Sequence, residues 1–373
     1  MALSFLEGNE AVAWGAITAG CRFFAGYPIT PATSIFTKML ELLPPRGGIC
    51  LQGEDEIASI GYCLGAAMAG MKVMTATSGP GLSLCSEQIS FAIGSEIPIV
   101  IVDVQRLGPS TGSPTLGADG DINFLRWSNS GGLPVIVLAP MDVADCYLLT
   151  MLAFNLAENY RCPVFLASNK EIGQTRESFD PDGGIRLPKR VDRTYFTDKQ
   201  SFLPFAVAPD RLVPDFLPIG GRIPVRQTSS THGPDGYITT DTAIIGSIRR
   251  RLANKLTSQI SHFSFHQSFI LPGASTLIVT YGVSARAARD AQLALQDDGH
   301  PVSLLILKTL WPVPEKLIRE TAESYHRVVV VEMNMGQYIF EIERVLAGKK
   351  VDWYGRMDGS LLTPEQIIEV VYG

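Results

Sequence analysis

Residues 73–81 read Val73-Met74-Thr75-Ala76-Thr77-Ser78-Gly79-Pro80-Gly81, and the apolar run Ile97 to Val104 follows after one helical stretch. A short buried strand, a turn of small hydroxyl and glycine residues, a helix over 81–95 and a second apolar strand form a strand–helix–strand unit, which parallel pairing requires. Further strands are expected at Val135 to Leu138 and Val164 to Ala167, with a helix over 142–159 between them. Upstream, helices are expected over 9–20 and 54–69. A third opens at Thr30-Pro31, read as an N-cap and a first-turn proline ahead of Ile35, Phe36, Met39, Leu40 and Leu43. Strands apolar on both faces and spaced by helices belong to a sheet covered on both sides.

The alternation stops at residues 181–235, which hold eight prolines, at 181, 188, 204, 209, 214, 218, 224 and 234. This stretch is too long for a simple loop and too rich in Phe, Tyr, Leu and Val for a free linker, so it reads as an ordered, wrapping connector. A charge-rich helix follows over 241–260. Strands then recur at Thr276 to Tyr281, Val302 to Leu307 and Arg327 to Val331, with helices over 284–297, 314–324 and 336–347. The expected class is α/β: two open, mostly parallel-sheet domains, residues 1–180 and 271–373, joined by a proline-rich connector and helix over 181–270.

The chain has 373 residues with 31 Lys and Arg against 37 Asp and Glu, a formal charge of −6 that argues against a sequence-independent grip on nucleic acid. No apolar run approaches the roughly 18–20 residues of a membrane span. The start, Met1-Ala2-Leu3-Ser4-Phe5-Leu6-Glu7, has neither a basic segment nor a cleavage site, against a secretory signal. Six cysteines (21, 50, 63, 85, 146 and 162) are scattered without the spacing of a zinc or iron–sulfur site. They read as buried thiols in a reducing cytoplasm, in a chain with no metal of its own.

Three segments suit a ligand better than a core. Gly26-Tyr27-Pro28-Ile29-Thr30-Pro31 lies where a strand ends and a helix begins, the edge at which open α/β sheets bind ligands. Its plainest alternative is a capped, proline-stiffened turn. Glu54-Asp55-Glu56 opens a small-residue helix; one acid suffices as a cap, and another, in an apolar setting, could transfer protons. The residues alone do not say which. Gln105-Arg106-Leu107-Gly108-Pro109-Ser110-Thr111-Gly112-Ser113-Pro114-Thr115 follows a buried strand, and an arginine there, before hydroxyls and glycines, suits a carboxylate or phosphate. An ordinary surface arginine beside a flexible loop is the competing reading. Thr75 to Gly81 is a further turn of this kind, and not a P-loop, since Gly-Lys-Ser/Thr is missing.

These segments, in this order and spacing, resemble the α subunit of the 2-oxoacid:ferredoxin oxidoreductases, and within them the 2-oxoglutarate branch. The likeness extends to Tyr281-Gly282, Leu310-Trp311-Pro312-Val313-Pro314, Val331-Glu332-Met333-Asn334-Met335-Gly336-Gln337 and, in the connector, Thr231-His232-Gly233-Pro234-Asp235-Gly236-Tyr237. The resemblance implies a thiamine diphosphate enzyme assembled from several chains, with a pyrimidine-binding domain followed by a transketolase C-terminal-like domain. It implies that Glu56 hydrogen-bonds the aminopyrimidine ring, favouring the tautomer that takes a proton from the thiazolium. Tyr27, Pro28, Ile29, Ser78 and Gly79 would contact the cofactor, Thr30 would face the reacting centre, and Arg106, helped by Thr111, would pair with the 2-oxoacid carboxylate. Coenzyme A would take the acyl group and ferredoxin the electrons.

The family holds the cofactor's diphosphate through Mg2+ with a Gly-Asp-Gly motif, which this sequence lacks; Asp119-Gly120-Asp121 has the wrong order. The resemblance therefore implies a β subunit bearing the diphosphate-binding domain, the Mg2+ and a [4Fe-4S] cluster, with γ and δ subunits as further partners. Leu107 stands where the branch has Gly, and Ser113 where it has Leu. Both flank Arg106, which leaves pyruvate and branched-chain 2-oxoacids open as alternatives. A non-catalytic, scaffold-type α-like subunit is the alternative from another class.

Overall fold

The computed structural model describes residues 4–180, 187–197 and 202–373; Met1 to Leu3 of the signal-sequence reading and Pro181 of the connector lie outside them. The first half supplies β1 (Ser4–Glu7), β2 (Phe23–Gly26), β3 (Ile49–Gln52), β4 (Val73–Thr77), β5 (Ile99–Gln105), β6 (Ile136–Leu138), β7 (Pro163–Asn169) and β8 (Arg176–Phe179). The second supplies β9 (His266–Phe269), β10 (Thr276–Tyr281), β11 (Ser303–Leu307), β12 (Thr309–Trp311), β13 (Arg327–Glu332) and β14 (Lys350–Gly355).

One sheet has seven strands in the order β12-β6-β7-β5-β4-β2-β3, and the other five in the order β14-β13-β10-β11-β9. All pairs are parallel except two at the edges, β12 with β6 and β9 with β11. β1 and β8 form a separate antiparallel ribbon. The α/β class with mostly parallel sheets follows from strands such as β4, β5 and β7, in which every residue is buried.

β12 departs from what the alternation implies. It comes from the second half of the chain but pairs with β6 at the edge of the first sheet. Trp311 at its end donates from Nε1 to Ile122 O at 3.2 Å and packs edge-on to Tyr338. One apolar cluster accordingly joins Ile101, Val137 and Phe165 of the first sheet to Leu277, Val279, Leu305 and Val330 of the second.

Helix boundaries differ from expectation in two places that matter later. The helix after β2 spans Thr33–Leu42 with Ala32 as its N-cap, so Thr30 does not cap it. The helix expected over 81–95 is two, Gly79–Leu84 and Ser86–Gly94, meeting at Cys85. On the other face, the helices Gly8–Ala19 and Val143–Tyr160 approach closely because Gly15 has no side chain; a methyl there would stand 2.5 Å from Tyr147 O.

The connector is pinned by buried charge. Arg161 donates from Nε to Glu96 O and from one amino group to Pro214 O and Asp215 O. Arg193 pairs with Glu158 at 2.6 Å. The fully buried Glu96 receives Arg251 at 2.6 Å and Lys255 at 2.9 Å, both from the helix Thr242–Thr257. Burial raises the Glu96 pKa, but Lys255, Arg251 and Arg161 outweigh it and hold the carboxyl at about 2. Its folded pKa is thus depressed, so the stability it contributes is full above the ordinary carboxylate range and is lost as pH falls toward 2. Glu96→Gln, which strands these cations, is expected to cost about 3–5 kcal/mol. Thermal unfolding at pH 7 checks it, and the gap from the native chain should narrow on acidification.

Candidate active site

The carboxyl ends of four adjacent strands meet on one edge of the seven-stranded sheet. β3 runs into Glu54-Asp55-Glu56, β2 into Tyr27 to Pro31, β4 into Ser78 to Gly81, and β5 ends at Gln105 before Arg106. Strand order changes direction around β2, with β3 on one side and β4 on the other, and crevices form at such points.

Asp55 and Glu56 divide the acidic run between two tasks. Asp55 is the N-cap of the helix Glu56–Met68, its Oδ1 accepting from Ala58 N at 2.7 Å. Glu56, the first helical residue, is released from capping and is 93% buried. Its carboxylate lies against Gly81, where a methyl group would overlap both Glu56 Oε1 and Thr77 Oγ1. Glu54 is exposed.

Arg106 is 93% buried, which is unusual for an arginine without a carboxylate partner among the described residues. One amino group donates to Thr30 O at 2.7 Å, and Nε is buried with no partner among those residues. An unsatisfied guanidinium nitrogen in a dry site is an unused anion contact. Thr30 itself is exposed, Tyr27 is 40% exposed, and Pro28 and Ile29 are half-buried. Ser78 is fully buried and its hydroxyl is also without a partner among the described residues.

Thus Glu56, Ser78, Gly79, Thr30 and Arg106 lie on one sheet edge. Thr111 is exposed on the loop after Arg106 and makes no hydrogen bond to it. That loop folds back on itself: Leu107 pairs with Ser113, and Gly112, at φ 46°, passes so close to Leu107 O that no side chain would fit.

Three aspartates here were not singled out by sequence reasoning. Asp103 is fully buried in β5, and Asp119 is 2% exposed. Asp121 is tied back by its N–H, which donates to Gln105 Oε1 at 2.9 Å; its own Oδ2 stands 3.0 Å from where a methyl on Gly79 would be. Burial pushes Asp103 well above the carboxylate range, reinforced by Asp121. Burial pushes Asp119 up to about 7 and Asp121 up to about 6, the latter restrained by Asp103 and Arg106. The available signal was an aspartate inside the otherwise apolar run Ile99-Val100-Ile101-Val102-Asp103-Val104.

The second half of the chain closes one side of this region. Asn334, fully buried, donates to Asp119 O at 2.9 Å and to Tyr281 Oη at 2.8 Å. Tyr281 donates to Glu332 Oε2 at 2.7 Å. Gln337 donates to Gly120 O at 2.5 Å and accepts from Asn123 N at 2.8 Å. Asn334 and Gln337 therefore hold the segment that carries Asp119 and Asp121. Among the described residues no group of three His, Cys, Asp or Glu side chains is arranged to hold a metal ion, and no helix is long and apolar enough to cross a membrane.

Comparison with known proteins places these observations among relatives. A family model described as "Pyruvate flavodoxin/ferredoxin oxidoreductase, thiamine diP-bdg" matches residues 14–247. Another, "Pyruvate:ferredoxin oxidoreductase core domain II", matches residues 274–367. The chain is 40% identical to the 2-oxoglutarate synthase subunit KorA of Methanothermobacter thermautotrophicus, over 98% of this chain and 97% of that protein. It is 34% identical to the ketoisovalerate oxidoreductase subunit VorB of Methanothermobacter marburgensis, over 100% of this chain and 97% of that protein. A solved structure of 2-oxoglutarate:ferredoxin oxidoreductase from Magnetococcus marinus, with 2-oxoglutarate, coenzyme A and succinyl-CoA bound, matches with a TM-score of 0.92 and 33% identity. The match covers 99% of this chain and 65% of the longer one.

Proposed function

Because the chain belongs to the pyruvate flavodoxin/ferredoxin oxidoreductase family, we propose that it is the α subunit of a thiamine diphosphate-dependent 2-oxoacid:ferredoxin oxidoreductase acting on 2-oxoglutarate. The reaction is oxidative decarboxylation, with coenzyme A as acyl acceptor and ferredoxin as electron acceptor. The observation that carries this reading is Arg106: a buried guanidinium whose Nε has no partner among the described residues, on the same sheet edge as the buried carboxylate of Glu56. A scaffold that had lost turnover would have no use for a buried arginine whose Nε has no partner among the described residues.

The residues present fit the cofactor. Ser78 Oγ lacks a partner among the described residues, and a side chain at Gly81 would fill the space beside Glu56. When bound, thiamine diphosphate supplies the carbon nucleophile and the electron sink for loss of CO2. This chain's own part is to hold and orient. Glu56 would hold a proton at the aminopyrimidine, in a setting too dry for water to compete. Tyr27, Pro28, Ile29, Ser78 and Gly79 would line the ring. Arg106 would fix the 2-oxoacid carboxylate, with Thr30 and Thr111 as further substrate contacts.

The diphosphate, its Mg2+ and a [4Fe-4S] cluster would sit on a β subunit, with γ and δ subunits as further partners, in a cytoplasmic complex. The sequence, which lacks Gly-Asp-Gly and clustered cysteines, supports that division, as does the family's subunit organisation. The choice of 2-oxoglutarate rests on the 40% identity to a 2-oxoglutarate synthase subunit against 34% to the ketoisovalerate counterpart. The test is coenzyme A-dependent viologen reduction by the purified complex across a panel of 2-oxoacids. The highest kcat/KM is expected with 2-oxoglutarate, and a preference for 2-oxoisovalerate would move the substrate to the branched-chain class.

A further inference from the structure

The turn that presents Thr30 is held by side chains from two other parts of the chain. Among the described residues no backbone N–H donates to Thr30 O or to Pro31 O. Arg106 supplies one donor, to Thr30 O at 2.7 Å. Asn9, in the first turn of the helix Gly8–Ala19, supplies the other. Its Nδ2 donates to Pro31 O at 2.9 Å and to Ser34 Oγ at 2.9 Å, which uses both amide protons. A carbonyl only accepts, so Pro31 O settles which end of the amide faces the turn.

Asn9 is fully buried, which is uncommon for asparagine, and its Oδ1 has no hydrogen-bond partner among the described residues. That oxygen lies against Gly173, where a methyl group would stand 2.6 Å from it. The amide is thus wedged between the helix Lys170–Gln174 and the turn. A buried acceptor left unsatisfied is costly, and what the arrangement gains is two donors at fixed points. A tie between helices would need only the bond to Ser34, in the first turn of Thr33–Leu42. The bond to Pro31 O instead fixes the backbone beside the carbonyl that Arg106 grips.

We propose that Asn9 is a positioning residue for the substrate carboxylate: by fixing the Pro31 carbonyl it fixes Thr30 O, and through Thr30 O the guanidinium of Arg106. This rests on the reading of Arg106 as the carboxylate-binding group. An untethered arginine loses much rotamer freedom each time it binds an anion. With one amino group pinned on Thr30 O, the fork is oriented before substrate arrives, and Nε remains for the incoming carboxylate. Both donors of Asn9 are spent on the turn and the helix after it, so Asn9 acts on the substrate only through them.

The experiment measures KM and kcat of the assembled complex for 2-oxoglutarate, with KM for coenzyme A and thermal unfolding on the same preparations. Asn9→Ala is expected to raise KM for 2-oxoglutarate by about three- to tenfold, the net worth of one hydrogen bond, and to leave KM for coenzyme A unchanged. In an Arg106→Ala background the same substitution should change KM by less than about twofold, because the group it positions is gone. A loosened fold alone would instead raise KM by the same factor in both backgrounds. That additive result, or an unchanged KM in Asn9→Ala, overturns the proposal. Should Asn9→Ala not assemble, Ser34→Ala, at a half-buried position, removes one of the two anchors of the amide. It should raise KM by about two- to threefold, again only while Arg106 is present, and an unchanged KM overturns the proposal. Failure of the underlying reading looks different: Arg106→Ala by itself would then leave KM for 2-oxoglutarate unaltered.

Discussion

Glu56→Gln in the assembled complex is expected to lower 2-oxoacid-dependent dye reduction by about 10²- to 10⁴-fold, the usual worth of a positioned acid–base group. The amide has nearly the shape of the carboxylate, so the contact with Gly81 and the helix start survive. Asp55 remains to cap the helix, since its bond to Ala58 N does not involve Glu56. What is lost is the capacity to hold a proton at the edge of the cofactor ring. The measurement is viologen reduction at saturating 2-oxoacid and coenzyme A, with cofactor content determined on the same preparation. Full activity in a loaded complex would remove Glu56 from the mechanism and leave Glu54, which is exposed, as a poor substitute.

Arg106→Ala is expected to raise KM for the 2-oxoacid by about 10- to 100-fold, because a charge-assisted hydrogen bond is worth about 1.5–3 kcal/mol. The loss falls on KM to the extent that the guanidinium binds substrate and transition state alike. Arg106→Lys should recover part of it, since an ammonium keeps the charge but not the forked donor geometry. The variant also frees Thr30 O, which Arg106 holds at 2.7 Å, so some loosening of the Tyr27 to Pro31 turn accompanies it. An unchanged KM would mean that the carboxylate is bound elsewhere.

How much of this was legible in the sequence depended on what holds each element in place. The central strands were legible because burial on both faces leaves a run of apolar residues; β10 and the helix Ser284–Asp297 agree with the expected bounds to the residue. Edge strands were not. β3 and β14 are half to mostly exposed and owe their conformation to a neighbour's backbone, which no side-chain pattern reports. Leu310-Trp311 was visible only as part of a motif, since nothing local says that a strand beside one sheet will cross to another. Thr30 had the chemistry of an N-cap, but residues 30–32 form a turn before the helix begins at Thr33, with Ala32 at the cap position.

At the site, the residue types were legible and their partnerships were not. Glu56 and Arg106 stood out by chemistry and resemblance. Their burial, and an Arg106 Nε without a partner among the described residues, exist only once four strand ends meet. Asp121 looked like a misordered fragment of a motif found in partner chains. Its place at the end of β5, with its N–H on Gln105 Oε1, depends on the loop that returns from that strand and on Asn334 and Gln337, more than 200 positions downstream.

The crossing of β12 also sets a timetable for synthesis. β6 leaves the ribosome with one edge unpaired, and the residues that cover it, Thr309 to Trp311, come roughly 170 positions later. At about 5–20 residues per second, that edge stays open for about 10–30 seconds on each nascent chain. An unpaired strand is a template for any other strand nearby. The short length of β6, three residues, keeps that template small during the wait.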